Sequence, residues 1–400
     1  MARTPRISPE LRSRETVKPL ELFFDLVFVL GFTQCTQLMA DHPTWEGLAQ
    51  GVLVLAVLWW SWVGFAWLTS VVEPDEGIVR IAMFAAMAAL LVVALAVPQA
   101  FGEWAGIFAV AYGAVRLGHI ALYLIAARDI PDLRRSVIGL GVTTAIGVGL
   151  IGGASFLDGW EQGALWVLAL AVDLGGPAFF GVEGWKLVPA HFAERHALVI
   201  ILALGEAIVA IGVGADVGLD AGVIVAAALG IGLACALWWI YFDIVALVTE
   251  RRLAEAKPGR EQNALARDSY SFLHLPMVAG IVLAALGLKK TIGDVDHELK
   301  VEAAFALLFG VALYLLAHVA LRLRNAGSLN RERLAVAVLL VALLPLALEV
   351  PAWAAVLGVN LLLWPMIVFE TRYYGDRRYR LRHGLEVEIP SRATAPTGES

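Results

Sequence analysis

The sequence predicts an all-α integral membrane protein. Of its 400 residues, 60% are hydrophobic and only 16% are charged. Twelve apolar runs of roughly 18 to 25 residues are each long enough to cross a bilayer core of about 30 Å as a helix. One soluble domain of this length could not bury so much apolar surface, so lipid must cover much of it.

The expected spans follow one another along the whole chain. They begin near Leu20, Gly47, Val79, Trp104, Leu133, Gln162, Phe192, Asp220, Tyr270, Glu302, Arg333 and Ala352. We therefore predict a cytoplasmic tail at 1–17, spans one to six at 18–183, spans seven to twelve at 184–371, and a mostly disordered cytoplasmic tail at 372–400.

Lysine and arginine are divided unequally between the two ends of these spans. Twenty-six of the 30 lie in the two tails and the even-numbered loops, three lie in the ninth loop (Lys289, Lys290 and Lys300), and Arg116 lies inside a span. By the positive-inside rule both termini are cytoplasmic, in a multi-pass membrane protein. The basic residues are thereby explained as topology signals. We expect the bilayer and a small solute or ion as partners, and no nucleic acid; the sequence does not indicate the oligomeric state.

Internal sequence matches predict a duplication of six spans plus six. The Leu-Trp-Trp sequence at 58–60 in span two recurs at 237–239 in span eight, and His119 in span four recurs as His318 in span ten. The number of residues between matching positions of the two halves changes along the chain, which requires a longer loop in the second half, at 249–268. Because six is even, two such halves enter the membrane in the same sense. This predicts parallel repeats related by an axis along the membrane normal.

Three carboxylates within or at the edge of spans are the main candidates for function. A charge in the hydrocarbon costs at least about 2.5 to 3.5 kcal/mol, so each needs a partner, water or a neutral state. Glu21 and Asp25 share one face of span one because they are four residues apart. Glu206 lies in span seven at the expected bilayer midplane. Each could bind a proton or solute; alternatively, Glu21 and Asp25 could anchor span one, and Glu206 could tie two helices together.

Arg116 is predicted to pair with Glu206, since both lie about twelve residues, or about 18 Å, from a membrane edge. Asp173 in span six is the rival partner at a comparable depth. The other candidates for binding a proton or solute are His119, Asp173, Asp243, His274 and His318. His274 and His318 could also simply bond a backbone carbonyl.

The sequence carries no motif of a metal site or of common enzyme chemistry. No span contains an HxxxH or ExxH spacing, and there is no GxSxG motif, Walker loop or intramembrane lysine for a Schiff base. Both cysteines, Cys35 and Cys235, lie in apolar spans, which leaves no disulfide framework. We therefore expect no cofactor and no metal, and an enzyme is a minor alternative.

Four stretches of the chain resemble the bacterial low temperature requirement A (LtrA) family. They are ELFFDLVFVLGFTQ at 21–34, ERHALVIILALGEAIVA at 194–210, LWWIYFD at 237–243, and YSFLHLPMVAG at 270–280 with GSLNR at 327–331. His196 departs from the pattern, since the family usually carries an aromatic residue there. The resemblance implies a multi-spanning membrane protein whose family name refers to growth in the cold, without a settled substrate.

These residues favour a proton-coupled secondary transporter of a small solute. In that hypothesis Glu206, Asp25 and Glu21 bind proton or solute between the two halves, and Arg116 is the counter-charge. One alternative is a cation channel lined by spans one and seven; Phe23-Phe24-Asp25 also resembles the FSD motif of certain potassium channels, with Phe in place of Ser. The remaining alternatives are a non-transporting scaffold or sensor and an intramembrane enzyme.

Overall fold

The computed structural model describes residues 16–75, 77–179, 181, 184–215, 218 and 220–382. Over these residues the chain is helical and has no β-sheet; a single isolated bridge joins Glu298 to Pro351. The predictions made for 1–15 and 383–400 fall outside the described residues. Residues 375–382, predicted as part of a mostly disordered tail, form a short helix.

The helices are α1 (Pro19–Asp41), α2 (Trp45–Thr69), α3 (Gly77–Ala96), α4 (Ala105–Ala126), α5 (Pro131–Ala154), α6 (Gly159–Phe179), α7 (Pro189–Gly214), α8 (Ala221–Phe242), α9 (Val245–Glu255), α10 (Arg260–Leu265), α11 (His274–Gly293), α12 (Val301–Ala326), α13 (Arg331–Ala342), α14 (Leu344–Ala347), α15 (Ala352–Tyr373) and α16 (Gly375–Arg382). A 3₁₀ turn (Val97–Gln99) follows α3, and a π-helical segment (Ala266–Phe272) joins α10 to α11.

Ten helical stretches of the described chain are long and apolar enough to cross a bilayer. A helix begins within four residues of every expected span start. Two of the twelve expected spans are not among these ten. One is α6, which has 21 residues, and the other is the pair α13 and α14, which is interrupted near Leu343. The prediction of an all-helical membrane protein is therefore confirmed.

The predicted loop at 249–268 is wrong, because most of it is helical. α8 and α9 together form a largely helical stretch of 35 residues, interrupted at Asp243 and Ile244. α10 to α11 form a stretch of 34 residues that contains the π-helical segment. The charged residues of 249–268 thus lie mostly within helices.

Six of the helices begin with residues suited to a helix N-terminus. α1, α5 and α7 begin at proline, which has no N–H to leave unbonded in the first turn. Thr44, Asp220 and Asn330 cap α2, α8 and α13 by accepting a hydrogen bond from a backbone N–H three residues on. At these six helices a local signal thus marks the first residue.

Neighbouring helices pack in a similar order in the two parts of the chain. In residues 19–179, α1 packs on α2 and α3, α3 on α4, α4 on α5, and α5 on α6. In residues 189–373, α7 packs on α8 and α11, α11 on α12, α12 on α13, and α13 on α15. α1 also contacts α7 and α11, so these helices join the two parts.

Apolar and polar side chains are distributed as expected for a protein in lipid. Val110, Ile81 and Leu361 are 77%, 68% and 62% exposed, whereas the indoles of Trp59 and Trp62 are buried. Apolar side chains on an outer surface are stable when lipid covers them, and polar groups then face the interior. The charged side chains inside the bundle are consequently the candidates for function.

Small residues let α11 and α12 approach each other closely. A Cβ atom added at Gly280 would lie 2.5 Å from the carbonyl oxygen of Gly310, and one added at Gly287 would lie 2.5 Å from the Cβ atom of Leu307. Such contacts are too short for any larger residue. Close backbone packing is a main source of helix association in membranes.

We expect Gly287→Leu to lower the melting temperature of the detergent-solubilised protein, because overpacking of this kind costs about 1 to 3 kcal/mol or more. Gly212→Leu is the matched control, since a Cβ atom there meets nothing within 4 Å. Equal melting temperatures for the two variants would contradict the close packing of α11 on α12.

Candidate functional site

Four ionisable side chains meet where α1 and α7 begin. Arg195 donates from Nη1 to Glu21 Oε1 at 3.0 Å and from Nη2 to Asp25 Oδ1 at 2.7 Å. His191 Nε2 lies 3.1 Å from Glu21 Oε1. All four side chains are fully buried. We call Glu21, Asp25, His191 and Arg195 the α1–α7 charge cluster.

Equal spacing on two helices builds this cluster. α1 and α7 each begin at a proline, Glu21 and His191 are the third residues, and Asp25 and Arg195 are the seventh. Residues four apart on a helix lie on one face, about one turn apart. The two acids of α1 therefore face the two basic side chains of α7, level with each other along the helix axes.

The helix α2 contributes to the same cluster. Trp62 donates its indole N–H to Asp25 Oδ1 at 2.9 Å, and the Arg195 guanidinium lies 5.6 Å from the centre of that indole ring. Thr69 Oγ1 accepts a longer bond of 3.4 Å from Arg195 Nη1. Asp25 Oδ2 and Arg195 Nε are buried with no hydrogen-bond partner among the described residues. Asp25 thus retains an open acceptor and Arg195 an open donor.

Arg195 was missed as a site residue in the sequence, where it counted only as a topology charge at the head of span seven. The signal that could have found it is its position four residues after His191, which repeats the spacing of Glu21 and Asp25 on span one. Arg195, and not Arg116, is the counter-charge of these two carboxylates.

The predicted pair of Arg116 with Glu206 is wrong, and the rival Asp173 is the partner. Arg116 Nη2 lies 2.6 Å from Asp173 Oδ2. Thr144 joins the two, accepting from Arg116 at 3.0 Å and donating to Asp173 Oδ1 at 2.9 Å. Arg116 Nη1 also donates to the carbonyl oxygen of Trp60 at 3.3 Å. The buried guanidinium is therefore held entirely within the first six helices.

Glu206 of α7 lies beside α1 and not beside Arg116 of α4. Glu206 lies 17 residues, or about 25 Å, beyond the first residue of α7 and about 12 Å before its last, so it is not level with the middle of the helix. Its Oε2 atom accepts a hydrogen bond from Thr33 of α1 at 2.5 Å. Nearby, Lys289 donates to Gln37. α7 packs on α1, α8 and α11, whereas α4 packs on α3 and α5.

The three candidate histidines each bond a backbone carbonyl oxygen through one ring nitrogen. The pairs are His119 with Gly64 (3.0 Å), His274 with Ser269 (2.9 Å) and His318 with Tyr314 (2.8 Å). His274 also bonds the hydroxyl of Tyr241 through Nε2 at 2.9 Å. For His274 and His318, the sequence analysis gave a bond to a backbone carbonyl as the alternative to binding a proton or solute. The structure contains that bond at both residues.

His196, the residue that departs from the LtrA pattern, lies in an aromatic cluster. Its ring centre is 4.5 Å from that of Phe192, 4.9 Å from that of Trp62 and 5.1 Å from that of Tyr270. Its Nδ1 atom donates to the carbonyl oxygen of Phe192 at 2.8 Å, because a carbonyl can only accept. The imidazole thus fills an aromatic position and packs beside the charge cluster.

Asp243 lies at the end of α8 and pairs with Arg378 of α16. Arg378 also lies 3.5 Å from Glu370, and Arg333 makes two bonds of 2.9 Å to the Glu370 carboxylate. These four residues form a separate network at the ends of α8, α13 and α15. The sequence analysis grouped Asp243 with Glu21 and Asp25 as candidates. In the structure Asp243 belongs to this second network instead.

The structure divides the predicted site residues among several places. Glu21 and Asp25 come together; Arg116 joins Asp173, with His119 one turn away along α4. Glu206, Asp243, His274 and His318 lie elsewhere, as described above. In the part of the chain that the structure describes, no three histidine, cysteine, aspartate or glutamate side chains converge in a manner suited to a metal ion. The chemistry available to the α1–α7 charge cluster is proton binding and recognition of a polar solute.

We expect non-additive effects for the Arg116 and Asp173 pair. Arg116→Met and Asp173→Asn should each destabilise the protein by about 3 to 5 kcal/mol, because each leaves one buried charge uncompensated, and the double variant should recover most of the loss. Melting temperatures of detergent-solubilised protein measure this. The matched control is Arg116→Met combined with Glu206→Gln, which should be additive; recovery in that control and not in the first pair would restore the pairing with Glu206.

Comparison with known proteins agrees with the resemblance seen in the sequence. Residues 16–368 match the family described as bacterial low temperature requirement A protein (LtrA). An uncharacterized protein of Rhizobium meliloti (strain 1021) is 31% identical over 283 residues, which are 67% of this chain and 67% of that protein. No solved structure gives a significant match. The family match includes all of α1 to α14 and most of α15. This chain is a multi-helical membrane protein of the LtrA family.

Proposed function

We propose that this LtrA-family protein is a proton-coupled secondary transporter of a small solute. The α1–α7 charge cluster carries the proposal, because it is buried between the first helices of the two parts of the chain. In transporters built from two repeats, substrate and ion sites lie where the repeats meet. Movement of one half against the other would alter the contacts of this cluster directly.

The number of charges in the cluster favours binding of a proton. Glu21 and Asp25 supply two negative charges, Arg195 supplies one permanent positive charge, and His191 is neutral unless it is protonated. A net charge is strongly unfavourable where water is excluded. One additional proton, on His191 or on a carboxylate, makes the cluster neutral. Loss of that proton would favour a conformation in which water reaches the cluster, which is the linkage that proton-coupled transport requires.

A second acid lies further along the same pair of helices. Glu206 is eleven residues, or about 16 Å, from Arg195 along α7. Between these levels the facing side chains are apolar and buried, including Phe28 and Phe32 of α1 and Val199 of α7. Two polar sites separated by an apolar segment fit a carrier that opens to one side at a time. In this proposal Glu206 is the acid nearer the opposite membrane face.

We further propose twelve spans in two parallel repeats of six, at 18–183 and 184–371, with α6 as the sixth span and α13 with α14 as the eleventh. The similar order of helix neighbours in the two parts supports this, as do the matching positions of the cluster residues on α1 and α7. The excess of basic residues supports cytoplasmic termini in a bacterial inner membrane.

The topology can be tested by labelling single cysteines in a Cys35→Ser, Cys235→Ser background. Arg260→Cys, on an exposed residue of α10, should react with a membrane-impermeant thiol reagent only after the cells are opened. Asp296→Cys, on an exposed residue between α11 and α12, should react in intact cells. Labelling of position 260 from outside would overturn the proposed orientation.

Transport can be tested with purified protein in proteoliposomes that contain a pH-sensitive dye. A screen of small solutes should give saturable, solute-dependent proton flux. Asp25→Asn should reduce this flux by a factor of about 100 or more, because an amide cannot bind and release a proton as a carboxyl group does. The introduced side chain retains an oxygen that can accept from Trp62, so the fold should survive. Asp41→Asn, at the exposed far end of α1, is the matched control and should keep the flux. Full flux from a well-folded Asp25→Asn protein would remove Asp25 from the site.

A cation channel is the second candidate, because α1 and α7 pack side by side with polar groups at both ends of an apolar seam. A channel would give unitary currents in planar bilayers without saturable coupling to protons. A scaffold would give neither currents nor flux, and would tolerate Asp25→Asn.

A further inference from the structure

A cavity of about 170 Å³ lies among the helix ends of the second part of the chain. Side chains from α9, α12, α13, α15 and α16 line it. Apolar side chains such as Val245, Val248 and Leu321 form part of its lining, and polar or charged side chains, among them His318 and Arg322 of α12, form the rest. We call it the α12 cavity. It has room for a molecule of several non-hydrogen atoms.

Three arginines and one carboxylate, Glu370, are among the side chains that line this cavity. Arg333 is paired with Glu370 through two bonds of 2.9 Å. Arg378 is paired with Asp243 and lies 3.5 Å from Glu370. Two guanidinium groups therefore face two carboxylates. Arg322 is the third guanidinium in the lining; a third carboxylate, Glu332, lies 3.5 Å from the hydroxyl of the lining residue Tyr374, and no ion pair between it and Arg322 is found among the described residues.

The surroundings of Arg322 favour an anion. Its Nε atom donates to the hydroxyl of Ser328 at 3.0 Å, and no carboxylate among the described residues forms an ion pair with it. The remaining guanidinium N–H groups are those that bind phosphate or carboxylate in two parallel bonds. α13 begins beside the cavity at Arg331, so the positive end of its helix dipole adds to the same field.

His318 adds an uncharged hydrogen-bond acceptor to the lining of the cavity. Its side chain is 2% exposed and lines the cavity. The Nδ1 atom must carry the ring hydrogen, because it bonds the carbonyl oxygen of Tyr314 at 2.8 Å. The Nε2 atom is then an acceptor. It is buried and has no hydrogen-bond partner among the described residues, so a ligand hydroxyl reaches it only when the lining shifts. His318 and Arg322 are four residues apart on α12 and so lie on one face, about 6 Å apart.

We propose that the α12 cavity binds a small hydroxylated anion. The phosphate or carboxylate group binds Arg322, and a hydroxyl group about one helical turn away donates to Nε2 of His318. Glycerol phosphate has this chemistry, either as a free metabolite or as the headgroup of phosphatidylglycerol. The site is separate from the α1–α7 charge cluster, and its occupation does not depend on the transport proposal.

The purified full-length protein in detergent should bind glycerol 3-phosphate saturably in isothermal titration calorimetry. Arg322→Gln should raise Kd by about tenfold or more, since it removes a charged hydrogen-bonding partner. The matched control is Arg324→Gln, which removes the same charge two residues away, where the guanidinium bonds Asp268 and not the cavity. Unchanged affinity in Arg322→Gln would overturn the proposal.

The hydroxyl contact is tested by comparing ligands. Propyl phosphate has the same anionic group without free hydroxyls, and it should bind the wild-type protein about three- to tenfold more weakly than glycerol 3-phosphate. The difference should disappear in His318→Phe. Equal affinities of the wild-type protein for the two ligands would exclude the role of His318 even if that variant fails to fold.

The source of the ligand is distinguished in nanodiscs of phosphatidylcholine with or without phosphatidylglycerol. If the ligand is the lipid, phosphatidylglycerol should raise the melting temperature of the wild-type but not of Arg322→Gln, and should compete with glycerol 3-phosphate. If the ligand is soluble, glycerol 3-phosphate should bind equally in both nanodiscs. Absence of both saturable glycerol phosphate binding and selective stabilisation by the lipid would refute the site.

Discussion

The cost of placing a charge where neither water nor a counter-charge can reach it constrains this protein throughout. A lone ion in such a place is so unfavourable that it must be paired, hydrogen-bonded or neutralised. The buried arginines follow this rule: Arg195 bonds Glu21 and Asp25, Arg116 bonds Asp173, and Arg333 bonds Glu370. Since the partners lie on different helices, each pair also specifies which helices must be neighbours.

The three networks join different parts of the bundle. The Arg116 pair holds α4 to α6 within the first part of the chain, and the Arg333 pair holds α13 to α15 within the second. The α1–α7 charge cluster joins the two parts. In the transporter proposal, bonds within each part favour rigid units, and the contact between the parts is the one that changes with the proton. This division is the physical basis of the transporter proposal.

Patterns in the sequence predicted the fold more successfully than the site. Apolar runs located the helix starts to within four residues, because both insertion into lipid and helix formation depend on local composition. They failed at 249–268, where charged residues were interpreted as a loop although most of them lie within helices. At the site, Glu21 and Asp25 were identified from their shared face, but Arg195 was hidden among the basic residues that set topology.

By itself the sequence determined the class of protein, the order and approximate bounds of its helices, and several of the ionisable groups that lie within them. These properties follow from local hydrophobicity and from spacing along one helix. Only the tertiary structure decided the partners of those groups. Residue counting puts Arg116 and Glu206 at equal depth, yet α4 packs against helices of its own half, and Asp173 of α6 is the acid that reaches the guanidinium. Pairing depends on which faces of which helices meet, and that is settled by packing across the whole bundle.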